Sequence, residues 1–150
     1  MAFEFPLATV LRIRESVEKR EERALQRIQG EISRVLYQIE ELSAEIAKAH
    51  DAREQAMQRP IAAGHLHTLL GAAHVFVEQR KTLLYHLQTL EQDRDKQMEV
   101  YRSAHRDREM LTEMFSQQQD IYAQQQGRTE QKSLDDIFMA RRHRGWADIA

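Results

Sequence analysis

The chain has no cysteine. No disulfide can staple it, no thiolate can hold zinc, and no cysteine nucleophile is available. Proline occurs 2 times and glycine 5 times in 150 residues. Tight turns draw on those residue types, so the chain can make few of them and its elements must be few and long. A collagen, a disulfide scaffold and a β-sandwich are excluded on these shortages alone. No apolar run approaches the ~20 residues that span a bilayer. The opening MAFEFPLATVLRIRE has no basic stretch ahead of an apolar run, so it does not read as a secretory signal. Charge of one sign is also missing: the net charge is -2. Without a basic excess there is little to grip a phosphate backbone, which makes a nucleic-acid-binding coil the weakest of the binding readings.

What the chain does have is Glu, Arg, Gln, Ala and Leu in the proportions of long helices or coiled coils. Pro6 suits a first helical turn, where its missing N–H costs nothing. The next proline is Pro60, so the first helix is predicted over about residues 6–58, about 80 Å at ~1.5 Å per residue. The stretch RPIAAGH, about residues 59–65, holds a proline and a glycine and reads as the one reversal. A second helix is predicted over about residues 66–126. Gly127 should interrupt it, a helical extension should reach about residue 142, and Gly145 should end regular structure.

Heptad spacing supports this. Leu25, Ile28, Ile32, Val35, Ile39, Leu42, Ile46 and Ala49 alternate steps of three and four residues. Upstream, Val10, Ile13, Val17 and Ala24 suggest the same seam with a one-residue offset. On the second helix the alternation runs from Leu66 through Leu69, Ala73, Phe76, Arg80, Leu83, Leu87, Leu90, Arg94, Gln97, Tyr101, Ala104, Arg108, Leu111, Phe115 and Gln118 to Tyr122. A seam sustained this long is a coiled-coil signature. Two seams joined by one reversal predict an all-α fold: a long antiparallel two-helix coiled-coil hairpin, a single domain and a monomer on its own. With the turn near residue 62, partner numbers should sum to about 124, which sets Leu42 near Leu83 and Ile32 near Arg94. Residues beyond about 120 should then overhang.

Little in the pattern suggests chemistry. His50, His65, His67 and His74 lie near the reversal, but no HExxH or cysteine pair accompanies them, so solvated polar residues are expected rather than a metal site. There is no GxxxxGK[ST] or GxGxxG to cradle a nucleotide. A two-helix hairpin is expected to lack a concave pocket in which water could be excluded and a pKa shifted. The chain therefore reads as a non-enzyme with no cofactor, metal or small-molecule substrate. Glu99 with Arg102, and Glu31 with Arg34, are i,i+3 pairs of an ordinary helix surface, as Glu15 and Lys19 are at i,i+4. Arg80, Arg94 and Arg108 fall on the seam, where their stems can cover it while the head groups reach water or acids. The glutamines at 117–119 and 124–126 read as a polar helix face.

Two motifs are more specific. The opening FPLATVLRIRE carries Phe3, Phe5, Leu7, Val10, Leu11 and Arg14 in an F-x-F-x-L-x-x-V/L-L-x-x-R pattern, approximately matched. Near the other end Glu130, Gln131, Lys132, Leu134, Asp135 and Asp136 spell EQKSLDD, within EQKSLDDIFMARR. Together with the hairpin pattern, these resemble the FliJ family of flagellar export proteins. The resemblance implies an antiparallel coiled coil like the central stalk of rotary ATPases, held in the cytoplasm beside the inner-membrane export apparatus. It implies a stalk that enters the hexameric flagellar export ATPase, promotes its assembly and activity, and contacts the transmembrane export gate, with a role as chaperone or escort for export chaperones. The injectisome stalk proteins share the architecture and are the nearest alternative; a self-assembling structural scaffold is another.

Two surfaces are expected to carry these contacts. At the end bearing both termini, Leu134, Ile137 and Phe138 form an apolar stripe followed by Arg141 and Arg142, and Arg12, Arg14, Lys19, Arg20 and Arg23 add positive charge; this is the candidate ATPase-binding surface. Nearer the reversal, Leu36, Leu70, Val77 and Leu84 lie outside a strict seam that includes Phe76. Either a wider seam covers them, or with Phe76 they form the gate-binding surface.

Overall fold

The computed structural model describes residues 2–149. Two helices make up the fold: α1, Ala8–Met57, and α2, Ala63–Ala147. No strand occurs among the described residues. The architecture is the predicted all-α helical hairpin, α1 and α2 packed against each other.

Pro6 and Leu7 form the turn that launches α1, where the Ala8 amide donates to the Phe5 carbonyl at 3.1 Å and Leu11 to Leu7 at 2.9 Å. The helix stops before Pro60, whose ring disfavours helical backbone at Arg59. The reversal is shorter than RPIAAGH. The amides of His65 and Leu66 both donate to the Ala62 carbonyl at 3.1 Å, which makes Ala62 the last residue outside α2 and puts Gly64 inside its first turn.

The chain divides into two compact units. One takes in the chain through Val17 and from Ala104 onward; the other is Glu18–Ser103. In the Glu18–Ser103 unit the core is Ile32 and Val35 of α1 against Leu90 of α2, with Ile28, Ile39, Leu83 and Leu87 packed around them. The core is thin: Leu90, its most covered member, keeps 5% of its surface exposed, and none of the described side chains is fully buried. Ile32 shares the core with Leu90, and Leu42 and Leu83 share one groove.

All residues of the predicted seam from Leu25 to Ala49 and from Leu66 to Tyr122 are at least half-buried. Upstream of Leu25 the offset seam is met only in part: Val17 and Ala24 are half-buried as predicted. Val10 and Ile13 are 39% and 57% exposed, while Leu7, Leu11, Glu18 and Glu21 are covered. Those positions continue the Leu25 heptad without a shift, since steps of seven back from Leu25 and Ile28 reach Glu18 with Leu11 and Glu21 with Arg14 and Leu7. The apolar pattern misled because the seam here is polar and satisfies itself. Gln97 Nε2 donates to the Glu21 carboxylate at 2.6 Å and to the Glu21 carbonyl at 3.1 Å. In the other unit, Arg14 pairs with Asp107 at 3.3 Å.

The predicted break at Gly127 is also absent: α2 continues through it and through Gly145 to Ala147. A glycine inside a helix costs about 1 kcal/mol relative to alanine, which lowers stability without forcing a break. Nothing lies within 4 Å of where a Cβ would sit on Gly127.

Candidate protein-interaction site

The unit holding both chain ends is organised by aromatic side chains. Phe5 is buried, with its ring centroid 5.3 Å from that of Phe115 at 84°. Phe3 sits 5.6 Å from Phe115 and 5.4 Å from Tyr122. Such edge-on contacts add to the area buried and fix ring orientation. The extended residues before α1 are thereby clasped onto α2, with Phe115 and Tyr122 one heptad apart on its seam. The sequence reading placed Phe3 and Phe5 in a motif without assigning them these partners. Their two-residue alternation, opposite a Phe and a Tyr seven apart, was the available signal.

The clasp ends at Tyr122, and every described residue after it is exposed. The heptad seam would next fall on Gln125, Thr129, Lys132 and Asp136, which are polar, so no apolar edge remains to hold α1. Within this bare stretch Leu134, Ile137 and Phe138 are 62%, 49% and 66% exposed. They line one shallow surface with Arg141. Arg142 lies on a neighbouring stripe with Met139, His143 and Trp146, its guanidinium carbon 5.8 Å from the centre of the Trp146 ring. The apolar stripe therefore neither folds back on Phe3 and Phe5 nor is covered by any other described residue.

The basic residues assigned to the same surface are not equivalent. Arg12 and Arg14 belong with the clasp; Arg14 is engaged by Asp107, while Arg12 is exposed. Lys19, Arg20 and Arg23 belong to the Glu18–Ser103 unit, where Arg20 bonds the Glu21 carboxylate at 3.1 Å and Lys19 and Arg23 are exposed. The Glu21 carboxyl is held below the ordinary glutamate range, first by the Gln97 amide and then by the Arg20 hydrogen bond and charge, which outweigh partial desolvation.

Also in the Glu18–Ser103 unit, Leu36, Leu70, Val77 and Leu84 are 48%, 42%, 37% and 48% exposed, so no wider seam covers them. Leu70, Val77 and Leu84 follow one another at seven-residue steps and make a single line along α2. Phe76 differs: it is half-buried in the seam, and its ring supports the hairpin more than it faces outward. Val77 also edges a hollow of about 190 Å³ with Ile46, Ala49, His50, Leu69 and Ala73.

The hairpin carries an open surface groove of about 870 Å³ lined by Glu41, Leu42, Glu45, Lys48, Thr82 and Leu83 among others. Its titratable groups include Glu45 and Lys48, which neutralise each other at 3.3 Å, and no histidine or cysteine faces it. No group of three or more potential metal ligands converges among the described residues. His50 instead pairs along α1 with Glu54 at 3.1 Å. Arg94 and Arg108 are half-buried at their seam positions, and their head groups turn to Asp95 and to Thr112 and His105. The Glu99–Arg102 surface pair forms at 2.9 Å. No helix among the described residues is long and apolar enough to cross a membrane.

Among known protein families, a model described as flagellar FliJ protein matches residues 3–145. No curated protein matches, and neither does any solved structure.

Proposed function

We propose, since this chain belongs to the FliJ family of flagellar proteins, that it couples the flagellar export ATPase to the export gate. The family is one of export components and not of known enzymes, so association with the flagellar export apparatus is the premise. The finer reading has three parts. The unit holding both chain ends docks in the centre of the ATPase hexamer. The exposed side chains of Leu36 on α1 and of Leu70, Val77 and Leu84 along α2 meet the transmembrane gate. Export chaperones are escorted by the same molecule.

The observation that carries the reading is the bare stretch of α2 after Tyr122. Leu134, Ile137 and Phe138 are large apolar side chains held in water on a helix with no opposite partner among the described residues. Surface of this kind is costly unless a partner covers it. Arg141 and Arg142 beside it, with exposed Arg12, would steer approach to an acidic ring lumen and raise the rate of docking more than its affinity. A helix held in a ring favours those subunit arrangements it contacts best, so stimulation needs no chemistry from the stalk.

Truncation after Gln126 tests this. The aromatic clasp and both hairpin seams are retained, so the helical melt should persist, while stimulation of the ATPase and of its assembly should be lost. Full stimulation by the truncated chain would place the ring contact elsewhere. In the same assay system, Val77→Glu with Leu84→Glu should abolish gate binding and leave helicity intact, because both side chains are exposed. Undiminished gate binding would remove that line from the reading.

A further inference from the structure

The ring-docking stripe does not use Met139, Trp146 or Ile149, yet these are 61%, 68% and 86% exposed. Across residues 134–147 two stripes run side by side at the same helical spacing. One is Leu134, Asp135, Ile137, Phe138 and Arg141; the other is Met139, Arg142, His143 and Trp146. At 100° per residue the large apolar side chains span more than half the helix circumference, too wide a band for one neighbouring helix to cover. The arginines stand within that band. Arg141 follows Phe138 at i,i+3 and Arg142 packs over Trp146. A protein interior would desolvate those guanidinium groups. A lipid headgroup layer would not, because long arginine stems snorkel while the rings sit at the acyl boundary.

We propose that residues 134–147 form an interfacial helix that lies on an anionic lipid bilayer. From Ile137 to Ala147 the charges are Arg141, Arg142 and Arg144, with no acid among them. Asp135 lines the first stripe and Asp136 stands next to it, so the acids gather at the N-terminal end of the segment, and Asp148 lies just beyond Ala147. Trp146 is the aromatic type that anchors at the headgroup level. A second copy is a poorer occupant, since side-by-side packing would crowd three arginines per chain. Because every residue involved is exposed, the helix can dock without opening any packed part of its unit. Lipid binding draws on the same side chains as ring docking, but it is measured on the protein alone, and its failure would leave the ATPase reading standing.

The chain holds 1 tryptophan, so Trp146 reports on this helix by itself. The full chain is titrated with phosphatidylcholine vesicles, with and without phosphatidylglycerol, while emission is followed. On anionic vesicles the emission should move to shorter wavelength. Three arginines less the two aspartates of residues 134–147 leave a net charge of +1, which implies about fivefold stronger partitioning to anionic than to neutral vesicles. Arg141→Gln with Arg142→Gln and Arg144→Gln should erase that preference without altering the melt. Phe138→Ser with Met139→Ser should weaken binding to both kinds of vesicle. An unshifted spectrum on anionic vesicles overturns the proposal, and so does equal partitioning to neutral ones. Co-sedimentation of the chain truncated after Gln126 as fully as the intact one does the same. A Trp146 shift on duplex DNA with none on vesicles would assign the helix to nucleic acid instead.

Discussion

Leu90→Ala is the sharpest probe of how the hairpin is held. Leu90 is 5% exposed and packs between Ile32 and Val35 of the opposite helix, so removing it takes out the centre of the thin core. Leucine-to-alanine changes in packed cores cost about 2–5 kcal/mol, the sum of lost transfer energy and the cavity left behind. The lower half of that range applies here, about 2–3 kcal/mol, because no described side chain is fully buried and the neighbouring Leu83 and Leu87 can settle toward the gap. For a chain of this size that lowers the melting temperature by about 5–10 °C. Circular dichroism at 222 nm follows the transition, with Leu134→Ala as the reference. Leu134 is 62% exposed on the unpaired stretch, so its truncation should change stability by less than about 0.5 kcal/mol. Equal melting of the two variants would mean that Leu90 is not packed against α1 and that the pairing of the helices is wrong.

The unshifted heptad and the polar seam can be checked in the same way. Leu11→Ser should cost about 1–2 kcal/mol, because Leu11 is half-covered, whereas Ile13→Ser should cost under about 0.5 kcal/mol; thermal melts that ranked them the other way would restore the offset seam. Glu21→Gln should cost about 1 kcal/mol at neutral pH by loosening a charge-assisted bond from Gln97. The Glu21 pKa is lowered on folding, so its contribution is complete above the ordinary glutamate range and is lost as pH falls through that range to the lowered value. Denaturant unfolding of both proteins across acidic pH should therefore converge as pH drops; a gap that stays constant would refute the assignment.

The fold was legible wherever apolar residues alone decided burial. From Leu25 to Ala49, and again along α2, spacing by threes and fours named the covered positions because nothing else competed for the seam. It failed between Leu7 and Glu21. There Val10 and Ile13 advertise a face that the structure leaves in water, and a glutamate is covered because an amide on the facing helix answers it. Periodicity counts hydrophobicity and cannot see a polar pair that only exists once two distant segments meet. Gly127 was misread for a related reason: helix propensity is a small local term, and its neighbours outvote it. The candidate site divided in the same manner. The sequence marked the Leu134–Phe138 stripe, whose exposure follows from the polar residues that end the seam. It did not reveal that Arg14 is already engaged, since that depends on Asp107 standing on the facing helix.

A core whose best-covered members still keep a few per cent of their surface in water asks little of the side chains that form it. Interlocked interiors constrain shape, so each residue there restricts its neighbours. A narrow seam constrains spacing and apolarity, and leucine, isoleucine, valine or methionine can fill the same position at modest cost. Descendants of such a protein are free to exchange those residues one at a time. What inheritance preserves in this architecture is a rhythm, with individual letters surviving mainly where a second molecule reads them.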